Sequence, residues 1–365
     1  MLGAIRLAAT LVPIVVVAAI GRPALAQNPA PAAPIELKPQ SPQTPQPAHH
    51  KPHHRPKLVP ASPPKNAAAP STPQPLPPAP GSGGPDLAFG AFQRGHYLEA
   101  FAAATRRVEA DGDPKSMTLL GELYAGGLGV PQSDAKAADW YKLAAGRGDR
   151  EAMFALAMFR LHGRAGARDR EASAKWLAAA AKLGHALAAY DLALLYMEGQ
   201  LFPQDFGRAA ELLRTAAQAG LPEAQYALGT FYKDGRGVPK DMNEAVRLWA
   251  LAALADNTDA QVEYAIALYN GTGIAKNEPA AAVLFRRAAL RGSAIAQDRL
   301  ARILATGRGA PANPTEATKW HLISRARGET NLELDDFVDK LDPNTRSAGE
   351  KAAKAWLDAL KKPAG

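Results

Sequence analysis

The stretch Ala224-Gln225-Tyr226-Ala227-Leu228-Gly229-Thr230-Phe231-Tyr232-Lys233-Asp234-Gly235-Arg236-Gly237-Val238 decides the fold. Ala224, Leu228, Phe231 and Tyr232 stand at i, i+4, i+7 and i+8, which places them on one face of a helix. Gly235 ends that helix, because a residue without Cβ adopts the left-handed conformation at little cost. The same glycine recurs at Gly127, Gly163, Gly199, Gly271 and Gly307, so the copies stand 36 residues apart. A fixed period of this length marks a repeat architecture, in which each unit buries its apolar face on its neighbours.

Six residues after each glycine stands Ser133, Asp169, Asp205, Asp241, Asn277 or Asn313. All are residues that cap a helix N-terminus, so a second helix is predicted to start there. Within it, Trp140, Trp176 and Trp320 share one slot with Leu212, Leu248 and Leu284. Ala145, Ala181, Ala217, Ala253 and Ala289 share another, and large residues facing small ones suit interdigitated helices. Gly148, Gly184, Gly220, Gly292 and Gly328 close the second helix, with Asp256 in that slot once. The tyrosine slot of the first helix holds Arg160, Leu268 and Leu304 in three units, and the second turn glycine is replaced by Ala165 and Leu201 in two.

The run Ala, Leu-Gly-x-x-Tyr-x-x-Gly-x-Gly-Val, Ala, Trp-Tyr, Ala-Ala, Gly resembles the Sel-one-like repeat, a relative of the tetratricopeptide repeat, over residues 114–328. The resemblance implies an all-α, α/α superhelical solenoid that binds proteins or peptides and has no intrinsic catalysis. Similar chains include exported regulators, periplasmic partners of sensor kinases and proteins that organise envelope complexes. Such superhelices usually line their concave side with the first helix of each unit. One row there reads Glu122, Met158, Leu194, Thr230, Ile266 and Arg302, and a second reads Thr118, Phe154, Tyr190, Tyr226, Val262 and Asp298. Glu122, Met158, Tyr190, Tyr226, Thr230 and Arg302 are the candidate partner contacts, since aromatics in a groove anchor peptides. The alternative is that Phe154, Tyr190 and Tyr226 pack between helices.

Outside the repeats, residues 1–26 read as a secretory signal. Arg6 precedes the apolar run Leu7–Ile20, and Ala24-Leu25-Ala26 gives a small-residue cleavage pattern. The run is short of the roughly 20 residues that a spanning helix needs, so an exported chain, periplasmic or secreted, without a membrane span after cleavage is expected. Residues 27–85 hold 19 of the 31 prolines and cannot bury a core, so they read as a disordered linker. Residues 86–113 read as a tetratricopeptide-like N-terminal cap. Leu334, Phe337, Val338 and Leu341, followed by a helix over Thr345–Lys361, read as a C-terminal cap within 329–365.

Formal net charge is +8, but seven Lys/Arg and one acid precede Asp86, leaving about +2 for the remainder. A nucleic-acid reading thereby loses most of its support, because phosphate binding needs a clustered basic face on the folded part. The absence of cysteine removes disulfides, thiolate chemistry and Cys-ligated metals. His49-His50-Lys51-Pro52-His53-His54-Arg55-Pro56-Lys57 could touch a metal or an anionic envelope polymer. Pro52 keeps the imidazoles off one helical face, and a solvated basic linker is the simpler reading. His96, His162, His185 and His321 lack ligand spacing and are expected at the surface or in turns. The acidic group Glu333, Asp335, Asp336 and Asp339 reads as a solvated helix face. No phosphate loop and no nucleophile-base-orienter set is visible, so no cofactor is expected and an enzyme acting on cell-wall material is the weakest reading.

Overall fold

The computed structural model describes residues 86–361. The signal on 1–26, the linker on 27–85 with its histidine stretch, and the tail 362–365 lie outside the described residues. Among the described residues every regular element is a helix. An entry pair, α1 (Leu87–Gln93) and α2 (Tyr97–Asp111), comes first. Six pairs follow: α3 (Pro114–Gly126) and α4 (Asp134–Gly146), α5 (Arg150–His162) and α6 (Arg170–Lys182), α7 (Ala186–Glu198) and α8 (Phe206–Gln218). Then come α9 (Pro222–Asp234) and α10 (Met242–Leu254), α11 (Thr258–Asn270) and α12 (Glu278–Leu290), α13 (Ala294–Thr306) and α14 (Pro314–Arg325). Two closing helices, α15 (Leu332–Asp339) and α16 (Pro343–Lys361), complete the described chain.

From α1 to α13 each helix packs chiefly on its neighbours in the chain, which is the contact pattern of a solenoid, and α14 packs on α13 and α16. The caps explain why each pair recurs. All six expected N-cap residues accept a hydrogen bond from a backbone N–H in the first turn of their helix. The six turn glycines sit at φ between +65° and +75° and close the first helices. The second glycine of the turn has a different task. A Cβ on Gly273 would stand 2.6 Å from the carbonyl oxygen of Met242, because the turn lies against the start of the preceding pair's second helix.

In four of the six pairs the large residue that fills the core is not the one that the tryptophan pattern suggests, while Leu248 and Trp320 of that slot are buried. Trp140, Trp176, Leu212 and Leu284 are only half-buried. The next position, Tyr141, Leu177, Leu213, Trp249, Phe285 and His321, is buried in all six pairs. It faces Gly121, Ala157, Ala193, Gly229, Ala265 and Ala301 on the first helix, so a ring as large as Tyr or Trp is matched by glycine in two pairs. Ala144, Ala180, Ala216, Ala252 and Ala288 are fully buried and let the next first helix approach closely. Three buried glutamines add a polar tie: Gln225, Gln261 and Gln297 donate to the carbonyls of Ala217, Ala253 and Ala289 at 3.2, 3.2 and 3.1 Å. A second tie is made by arginines. Arg147, Arg291 and Arg327 each donate to a carbonyl one pair earlier, at Gly112, Asp256 and Gly292.

The end is closed by α16, which packs along α14. Trp356 meets the buried Trp320 edge-on, with ring centroids 5.3 Å apart, and Gly349 seats against Thr318. Pro343 opens this helix rather than interrupting one, as suits its fixed φ and missing N–H.

Candidate functional site

The first helices present a common face, and the interactions of its side chains run from each repeat to the next. Thr118 of α3 donates to Asp149 Oδ1 at 3.0 Å, and Asp149 caps α5. Phe154 of α5 stacks on His185, the cap of α7, with centroids 4.4 Å apart. Asp298 of α13 accepts from Asn331, the cap of α15, at 2.6 Å. The row that contains Tyr190 and Tyr226 is thus a seam between repeats as well as a surface. Both tyrosines are half-buried, and burial pushes their hydroxyls up. Carboxylates of the same face add to this: Glu223 and Asp191 for Tyr190, Asp259 and Glu263 for Tyr226.

The other candidates divide along the same face. Glu122 is exposed to water but crowded by its neighbours. Burial of the carboxyl, then the charges of Glu151 and Asp149, push its pKa up to about 7. Met158 is half-buried against the core beneath α5 and α7, and Thr230 turns its hydroxyl back to the Tyr226 carbonyl at 3.1 Å. Arg302 pairs with Glu333 of α15. Glu122, Met158, Tyr190, Tyr226, Thr230 and Arg302 therefore lie along one series of helices rather than in one compact site.

The polar character of the face comes from two rows that the sequence reading did not single out. Three positions before the Glu122 row stand Asp191, Glu263 and Arg299, and seven before it stand Glu151, Glu223 and Asp259. These positions share the helix face of Glu122 by the same spacing. Asp191 is pushed up to about 6 by burial. Glu263 is held by Lys233 at 3.1 Å. From α5 to α11 the added charged side chains are carboxylates, and at α13 the one added charge is the guanidinium of Arg299.

Of the four histidines, His321 departs from the expected surface or turn position, and His185, in the turn before α7, is buried there. His185 is buried, accepts the Ala188 N–H on Nδ1 at 3.1 Å and meets Glu151 through Nε2 at 3.0 Å. His321 is buried in the core slot of the last pair, with Nε2 2.8 Å from Asp335. His96 and His162 are exposed. The acidic group at α15 is paired with cations of this chain: Glu333 with Arg302, Asp335 with Arg325, Asp336 with Lys340 and Asp339 with Arg346. Among the described residues, no group of three His, Asp or Glu side chains is placed to hold a metal ion, and no helix is long and apolar enough to cross a membrane.

The comparisons with known proteins agree with this architecture. The family model of the Sel1 repeat matches residues 114–149, 150–185, 186–221, 222–257, 258–293 and 294–328. No curated protein matches the chain. A Sel1 repeat protein from Oxalobacter formigenes is similar at 30% identity and a TM-score of 0.55, over 66% of this chain and 98% of its own. A protective antigen of uropathogenic Escherichia coli with this repeat fold is similar at 24% identity and a TM-score of 0.50. That match covers 72% of this chain and 64% of the antigen, and it speaks for the fold alone. With six matched units over the greater part of its length, and the recurring caps and turns that the units require, the chain belongs to the Sel1 repeat family.

Proposed function

We propose that this chain is an exported, non-catalytic adaptor that holds a protein or peptide segment of the bacterial envelope against its first-helix face. Sel1 repeat proteins are in general protein-interaction scaffolds. The observation that carries the reading is the continuity of that face. Glu122, Met158, Tyr190, Tyr226 and Thr230 lie on helices joined by interactions between successive repeats from α3 to α11, with Arg302 beyond them on α13, and half-buried aromatics stand beside carboxylates along them. An extended segment laid on such a surface would bury apolar side chains on the rings and satisfy its charges on the acids. The apolar run and small-residue site within residues 1–26 support export, and the absence of a catalytic constellation in the sequence supports an adaptor.

The test is a crosslinked pull-down from envelope extract with residues 27–365 as bait, beside a variant with Glu122, Tyr190, Tyr226 and Thr230 all changed to Ala. A specific protein captured by the first and lost by the second, with helical content retained, is the expected result. Equal capture by both would overturn the surface assignment. A third bait, residues 86–365, separates the solenoid from the basic segment before it. Capture only by the longer bait would move the function to an envelope-polymer or metal tether in residues 27–85.

A further inference from the structure

The first-helix face ends in a cavity of about 420 Å³ between α11 and α13. Its apolar lining comes from Ile266, Tyr269, Phe285 and Ile303. Three guanidiniums line it as well, those of Arg299, Arg302 and Arg308. Two of them already hold a carboxylate of this chain. Arg308 pairs with Glu278 at 2.8 Å while lying 5.5 Å over the Tyr269 ring, and Arg302 pairs with Glu333. Among the described residues, the side chain of Arg299 has neither a hydrogen bond nor an ion pair. It stands one helical turn before Arg302 on the same face, and it is exposed.

We propose that this cavity anchors an acidic segment of a partner protein. One apolar side chain enters between α11 and α13, and a side-chain carboxylate next to it is taken by Arg299 and, as Glu333 is displaced, by Arg302. This rests on the reading of the first-helix face as the binding surface, and it names the partner chemistry at one end. The apolar lining without Arg299 would select any hydrophobic residue. The guanidiniums without the lining would take any anion. Together they select an apolar residue flanked by Asp or Glu, since planar guanidinium matches carboxylate in a two-bond geometry.

Glu333 shows that the site accepts a carboxylate. It reaches Arg302 from outside, and its side chain is 80% exposed, so water or a competing acid has access to it. An exposed pair of this kind is worth little and is readily exchanged. The rest of the face sets the direction of the segment. Glu263, Asp259 and Glu223 lie on the helices before α13 and would repel further acids. The segment is therefore acidic at α13 and neutral or basic where it passes α9 and α7.

The experiment uses the full chain and a hexapeptide amide, Gly-Gly-Glu-Leu-Glu-Gly, carrying an uncharged fluorophore on its N-terminus, followed by fluorescence anisotropy at low salt. The amide removes the terminal carboxylate, so only side-chain acids are read. Arg299→Gln is expected to weaken binding about tenfold, the loss of one charge-assisted hydrogen-bonded contact. Glu333→Gln is expected to tighten it several-fold by releasing Arg302, an effect of opposite sign that a folding defect would not produce. Peptides with Lys for Glu, or Gly for Leu, are expected to bind at least about tenfold more weakly. No saturable binding up to about 1 mM, equal binding of the Lys peptide, or indifference to both substitutions would overturn the proposal. Displacement by inorganic phosphate without any preference for Leu would also overturn it, leaving only an anion site. The wider surface reading fails separately, on equal envelope capture by the fourfold alanine variant.

Discussion

The indole of Trp249 lies over Gly229, so close that a Cβ there would stand 2.6 Å from Nε1, and the ring donates to the Tyr226 carbonyl at 3.3 Å. Gly121 bears the same relation to Tyr141, at 2.5 Å from the ring. Where the first helix has Ala at this position, the facing residue is Leu177, Leu213, Phe285 or His321. Gly229→Ala gains helix propensity of about 1 kcal/mol but forces the indole out of its place. Overpacking of this kind costs about 1–3 kcal/mol. A net loss of about 1 kcal/mol is expected by urea denaturation. Adding Trp249→Leu, which copies the second and third pairs, should recover part of that loss. A double variant as unstable as the sum of its singles would refute the size matching.

Much of this was legible in the sequence because it is enforced at short range. A turn glycine or an N-cap residue acts within a few positions, so spacing alone located Gly235 and Asp241 and the helices that they bound. The core slot was not legible in the same way. Trp140 and Tyr141 are adjacent and both are large, and only the packing against Gly121 of α3 and Phe159 of α5 decides that Tyr141 is the deeper of the two. The candidate surface was half legible. Position within the repeat selected Tyr226 and Glu122, yet the carboxylates at Asp191, Glu223 and Glu263 mix with Ala and Leu in their rows and carry no repeat signal. For Glu223 and Glu263 the importance arises from the tyrosine beside them in the preceding repeat, which is a tertiary fact.

Asp256 occupies a glycine slot at φ +67°, a conformation that costs a side-chain-bearing residue about 1 kcal/mol. Arg291 holds it from the next pair, through Oδ2 at 2.8 Å and through the backbone carbonyl at 2.5 Å, and Arg287 pairs with Oδ1. Asp256→Ala keeps the strain and removes the ion pairs, so a loss of about 1 kcal/mol is expected. Asp256→Gly removes both and should stay within about 0.5 kcal/mol of the parent. Thermal melts of the two variants side by side check the contrast. Equal losses would mean that the left-handed backbone carries no strain.

The raised carboxyls make stability depend on pH in a defined direction. Glu122 is pushed up to about 7 and Asp191 to about 6, so the folded chain binds these protons more tightly than the unfolded chain does. Their contribution is fully present below about pH 4 and is lost as pH rises through 6 and then 7. Glu122→Gln together with Asp191→Asn should flatten this part of the profile. The expected effect is a rise in melting temperature on the order of 1–2 °C at pH 8 and no gain at pH 4. A gain of the same size at both values would show that the effect is packing and not charge.

Removing α16 tests whether the last pair depends on its cover. Trp320 is buried under Trp356, and Lys319 lies 4.6 Å over one ring and 5.4 Å over the other. A chain ending at Asp342 loses Trp356, Ala353 and Gly349, and so uncovers the face of α14 that holds Trp320 and Thr318. Because each helix leans mainly on its chain neighbours, the damage should stay local. Hydrogen exchange should accelerate in α13, α14 and α15 while α3 to α6 keep their protection, and the unfolding curve should broaden or split. The uncovered indole should also drive self-association, visible by sedimentation velocity as concentration-dependent growth. A truncated chain that stays monomeric with unchanged exchange in α14 would show that α16 is an appendage and that the solenoid closes on α15.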